Sequence, residues 1–163
     1  MLGQRGVVTS TGQAASEYDV KALFLLNFAR FVEWPALSPA EAKEPFSICI
    51  VGDDPFRDTL DHLVQDEKIN GRQIVVRRVS RPEDSCQVLF VSASERNVLR
   101  TLSQAGRGVL TVGEAVGFLS DGGMIGFVLD DRRVRFDINL KAATSASISI
   151  SSRLLSVARM VSR

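Results

Sequence analysis

Apolar residues recur at three- and four-residue intervals between positions 17 and 33. Val20, Phe24, Phe28 and Phe31 form one stripe, and Leu23, Leu26 and Val32 widen it. This spacing predicts a helix packed around most of its circumference, stopped by Trp34-Pro35 because proline cannot continue the hydrogen-bond ladder. After the polar linker ALSPAEAKEP (36–45), short apolar runs alternate with helix-like segments. FSICIV (46–51) predicts a first strand, and DDPFRDTLDHLV a helix with an aspartate at its cap and Pro55 in its first turn. Asn70-Gly71 marks a turn before a second strand, QIVVRRV (73–79). QVLFVS (87–92) predicts a third strand. SASERNVLRTLSQAG then has a capping serine, helical spacing in Val98, Leu99 and Leu102, and a glycine after its end. GVLTV (108–112) predicts a fourth strand and GEAVGFLSDGG a short helix. In MIGFVLDDRRVRFDIN, Val134, Phe136 and Ile138 alternate with polar residues, which predicts a hairpin turning near Asp130, Asp131 and Arg132. SSRLLSVARMVSR closes the chain as a predicted final helix with Leu154, Leu155, Ala158 and Val161 on one side.

Repeated strand-helix-strand units favour parallel pairing through right-handed crossovers, with helices on both faces of the sheet. The expected architecture is an α/β fold: a three-layer α/β/α sandwich with a mostly parallel sheet of order 2-1-3-4 and the C-terminal hairpin at one edge. At 163 residues one domain suffices, expected over 17–163. Residues 1–16 read as a disordered lead, a signal or cloning remnant without an apolar centre of its own.

Composition narrows the functional classes. The 20 basic and 19 acidic residues nearly cancel and are scattered, so no basic stripe for nucleic acid stands out. No run approaches the roughly 18 to 20 apolar residues a membrane span needs; the richest, VKALFLLNFARFVEWP, carries Lys21, Asn27, Arg30 and Glu33. Two cysteines and one histidine fall short of a zinc site, and neither a metal nor another cofactor is expected.

Asp53-Asp54 after the first strand resembles the acidic pair with which a phosphorylation receiver holds magnesium. The third strand, however, ends in FVSAS where an acceptor aspartate should stand, and no lysine lies between Lys68 and Lys141. A helix cap at the positive helix end is the better reading. There is no G-x-G-x-x-G, Walker or G-x-S-x-G motif, and His62 lies among Asp58, Asp61 and Asp66, so no catalytic set is expected. The 2-1-3 order would make Cys49 and Cys86 neighbours. A disulfide and two buried free thiols fit that placement equally well.

The segments EYDVKALFLLNFARFVEWP, FSICIVGDDPF, NGRQIVVRRV, CQVLFVS, VLTVGE, FLSDGGMIGFVLDDRRVRFDINLKAA and SSRLLSVAR together resemble the YfiR family, in order, from about residue 17 to the C-terminus. The resemblance implies an exported, periplasmic, non-enzymatic regulator. It would bind the periplasmic sensor domain of an inner-membrane diguanylate cyclase and hold it inactive, so that release raises cyclic-di-GMP and favours biofilm. It also implies a Cys49–Cys86 disulfide, in keeping with an oxidising compartment, and leaves room for a homodimer. A second family cysteine pair has no counterpart here, since FLSDGGMIGF contains no cysteine.

On this reading the contact surface includes the exposed edge of the last strand and RFDINLKAA, where Asp137, Asn139 and Lys141 face outward if Phe136 and Ile138 face in. An alternative of another class is a small-ligand sensor, its cleft at the carboxyl ends of the strands lined by Asp53, Ser92, Ser94, Thr111 and Glu114.

Overall fold

The computed structural model describes the backbone of residues 2–163, and side chains from Glu17 onward; the disordered lead expected over 1–16 falls where the described backbone, from Leu2, is helical. The long helix α1 (Leu2–Phe31) leads into a two-residue strand, β1 (Val32–Glu33). The main sheet then starts with β2 (Phe46–Val51), whose six residues are all buried. It continues through α2 (Thr59–Val64), β3 (Lys68–Ile69), β4 (Arg72–Val79), β5 (Val88–Val91), α3 (Val98–Gln104) and β6 (Leu110–Gly113). The chain ends with β7 (Ile125–Asp130), β8 (Arg133–Asn139), α4 (Leu140–Ser145), β9 (Ser149–Ile150), α5 (Ser152–Val157) and β10 (Met160–Ser162).

Eight strands form the main sheet in the order β10-β8-β7-β6-β5-β2-β4-β3, while β1 and β9 pair separately. β4, β2, β5, β6 and β7 run parallel. β8 returns antiparallel to β7 through Asp131 and Arg132, both at positive φ, and β3 pairs antiparallel with β4.

Alternation along the central strands separates two cores, because successive strand residues point to opposite faces. Ile48, Ile50, Val88 and Phe90 belong to the larger cluster, with Ala22, Leu25 and Phe28 of α1, Leu60 of α2, Ala143 of α4 and Leu154 of α5. Phe24 and Phe28 meet Phe127 and Phe136 there, with ring centroids 5.0–6.2 Å apart. Cys49, Val51, Leu89 and Val91 face the other way, into a smaller cluster with Phe118 and, partly buried, Val98 and Leu102 of α3. Cys49 and Cys86 are joined by a disulfide inside that cluster, with 5.8 Å between their α-carbons. The ring of Phe118 lies over Gly113 and Gly123, where a β-carbon on either would overlap it.

Several sequence expectations need correction. The final helix stops at Val157, where Ala158 turns extended, and Met160–Ser162 adds as a strand parallel to β8. The Arg159 N–H donates to the Phe136 carbonyl, and its guanidinium bonds both Asp137 carboxylate oxygens at 2.6 and 2.9 Å. The hairpin is therefore not the sheet edge; β10 lies outside it.

Asp53 and Asp54 do not cap a helix. Asp54 instead accepts from the Phe56 N–H at 2.8 Å and from Arg78, and α2 begins only at Thr59. Of the segment expected as a helix at 113–123, Gly113 ends β6 and 116–122 is a run of turns, with Gly117 and Gly122 at positive φ. Helix α3 starts after Asn97, later than the serines expected to cap it.

Candidate functional site

Glu17, Tyr18 and Lys21 occupy one face of α1, since residues four apart on a helix are neighbours. Lys21 is only 4% exposed. Its ammonium bonds Glu17 Oε2 and Glu114 Oε1, each at 2.8 Å, and lies 4.6 Å from the Tyr18 ring centroid. Glu114 follows β6, and its carboxylate is almost as deeply buried, at 6%. It accepts further from the Tyr18 hydroxyl at 3.2 Å and from the Ala93 N–H at 3.1 Å. Ala93 follows β5, so one carboxylate ties the carboxyl ends of two adjacent strands to the first helix.

A buried charge is tolerated only when it is paired and its remaining hydrogen-bonding positions are filled. Here they are: no buried side-chain polar atom lacks a partner among the described residues. Burial alone would push the Lys21 ammonium pKa down. The hydrogen bonds it donates to Glu114 and Glu17 outweigh it and leave the pKa raised. Burial pushes the Tyr18 phenol up, and the Glu114 charge adds to the effect.

Beside this cluster opens a cavity of about 640 Å³, lined by Glu17, Tyr18, Lys21, Glu114, the 115–120 turns, Phe127–Leu129 and Asp137. Small-ligand sites commonly fall between roughly 300 and 1,000 Å³, and the carboxyl ends of parallel strands are where open α/β sheets place them. Val116 is fully exposed in this wall and Leu129 is 57% exposed.

The residues proposed from sequence for a cleft fall in more than one place. Of the five, only Glu114 opens on the cavity. The Asp53 N–H donates to Ser94 Oγ at 2.8 Å, and the Ser92 and Ser94 hydroxyls lie 3.4 Å apart in a separate knot. Thr111 is buried and accepts from the Met124 N–H. Nor do Asp137, Asn139 and Lys141 form an outward row on an open edge, because β10 pairs with β8 across 137–139. Asp137 is held by Arg159, Asn139 caps α4 by accepting from the Ala142 N–H at 3.1 Å, and Lys141 is exposed on α4.

Sequence reasoning missed Lys21, Tyr18 and Glu17. In the sequence Lys21 reads only as a charge arguing against a membrane span. The four-residue spacing from Glu17 to Lys21 was the one available signal, whereas Glu114 lies 93 residues from Lys21 and no local pattern joins them. Among the described residues no helix is long and apolar enough to cross a membrane.

A family model described as YfiR/HmsC-like matches residues 18–159. Among solved structures, the chain is similar to an ABC domain in complex with L-Trp from Streptococcus pneumonia. The TM-score is 0.50 and the identity 12%, over 73% of this chain and 55% of that one. The chain thus spans little more than half of that structure, and the likeness concerns the fold alone. No curated protein matches the chain.

Proposed function

The chain belongs to the YfiR/HmsC-like family, and on that premise we propose that it is a non-enzymatic periplasmic regulator. It binds the periplasmic sensor domain of an inner-membrane diguanylate cyclase, or a similar membrane sensor, and holds it in its off state. A binder shifts such an equilibrium only by the difference in its affinity for the two states, so repression requires preference for the inactive sensor. Release of the sensor then raises cyclic-di-GMP and favours biofilm. The observation that carries this reading is the family match across nearly the whole folded region, 18–159. The Cys49–Cys86 bond supports an oxidising compartment.

The contact surface is proposed around Lys141, with Asp137 and Asn139 beside it. Lys141 is the cleanest probe of the three, since it is exposed while the other two hold structural contacts. The test is co-purification of the chain with the periplasmic domain of a diguanylate cyclase encoded beside it, together with the cyclic-di-GMP level when the chain is deleted. No complex and an unchanged level would overturn the proposal.

The cavity beside Glu114 favours a second reading, in which the domain senses a small ligand. Of the expected cleft of Asp53, Ser92, Ser94, Thr111 and Glu114, the last lines that pocket.

A further inference from the structure

The satisfied and unsatisfied groups around the cavity decide which ligand chemistry it accepts. Lys21 presents three donors. Two are engaged by Glu17 and Glu114, and the ammonium is set against the Tyr18 ring, so its charge is already met by two carboxylates before any anion arrives. Glu114 is also occupied, by Lys21, the Tyr18 hydroxyl and the Ala93 N–H. Glu17 differs: its Oε2 receives Lys21, its Oε1 has no hydrogen-bond partner among the described residues, and its side chain is 25% exposed.

The charges agree with this inventory. One ammonium faces two carboxylates in the Glu17–Lys21–Glu114 set, leaving one negative charge over, while Asp137 at the opposite side is neutralised by Arg159. The wall carries Val116 and Leu129, two of the most exposed large apolar side chains among the described residues. Such surface is left wet unless something apolar covers it.

We propose that the cavity binds a small monoamine, with its ammonium on Glu17 Oε1 and its apolar body covering Val116 and Leu129. The inference rests on the ligand-sensing reading and deepens it. A zwitterion or a carboxylate is disfavoured, because among the described residues the cavity holds no free cation to meet its negative end and Glu17 repels it. A neutral alcohol of the same size gains the apolar wall and a hydrogen bond to the Glu17 carboxylate, but not the ion pair an ammonium forms there, where both donor and acceptor are charged.

Titration calorimetry at neutral pH with hexylamine, hexan-1-ol and hexanoate tests this directly. Hexylamine is expected to bind at least about tenfold more tightly than hexanol, with no detectable binding of hexanoate. Glu17→Gln is expected to remove that tenfold preference. Amide chemical shifts should locate the amine by moving Ala93, Val116 and Leu129 in the wild-type protein, a readout independent of how Glu17→Gln folds. Hexanoate binding as tightly as the amine, an amine preference that survives Glu17→Gln, or shifts confined to another face would each overturn the monoamine assignment but keep a ligand-sensing site. Failure of all three probes to bind would sink the assignment and the ligand-sensing reading together.

Discussion

Lys21 stands on α1 beside Ala22 and Leu25, both wholly buried, and is acceptable there only because two carboxylates meet it. Lys21→Met keeps the volume but strands the Glu114 carboxylate inside. Breaking a buried pair from one side costs about 3–5 kcal/mol, to be read as a fall in the urea unfolding midpoint. The same cluster gives stability an alkaline limit. With the Lys21 pKa raised in the fold, its contribution is fully present below the ordinary lysine value of about 10.4 and is lost as pH rises through the folded value. Tyr18, raised chiefly by burial and then by Glu114, acts in the same sense because the fold favours its protonated phenol. Urea midpoints measured from pH 9 upward should therefore fall more steeply for the wild-type protein than for a Lys21→Met/Tyr18→Phe double variant. Equal slopes would contradict the coupling.

Among the elements, β2 and β5 are the best secured, because the Cys49–Cys86 bond joins the middle of one to the approach to the other. Across a sequence separation of 37, the chain-entropy account assigns such a link about 4 kcal/mol. A Cys49→Ala/Cys86→Ala variant should unfold at correspondingly lower urea, and reductant should then have no further effect on it. On the same face, Gly123→Ala drives a β-carbon into the Phe118 ring. Overpacking of this kind costs about 1–3 kcal/mol, and Phe118→Leu in the same chain should recover part of the loss. Strand β10 is the opposite case. It pairs over only three residues, is anchored by one exposed ion pair, and such pairs are worth at most about 1 kcal/mol. Arg159→Ala should leave global stability within that margin while amide exchange of Met160–Ser162 accelerates; unchanged exchange there would show that the ion pair does not hold the strand.

At the scale of the whole molecule, a sheet whose central strands are buried leaves its edges and loops for recognition. Lys141→Glu should weaken sensor capture without altering the unfolding midpoint, since the residue is exposed and surface substitutions of this kind usually stay within about 0.5 kcal/mol. An unchanged capture would move the contact surface elsewhere.

What the chain declares locally was readable from it alone. The mixed α/β class, the apolar runs at 46–51 and 88–91 and the kinship of the quoted segments all rest on period, turn residues and composition. These signals act over a few residues and survive without knowing what packs where. Only the tertiary structure decided that 160–162 leaves the helix for the sheet, because its strand exists by pairing with β8 rather than by propensity. The tertiary structure likewise made a centre of Lys21, whose partner Glu114 is 93 residues away. A charge is stabilised by the field of its neighbours in space, and that field has no period along the sequence.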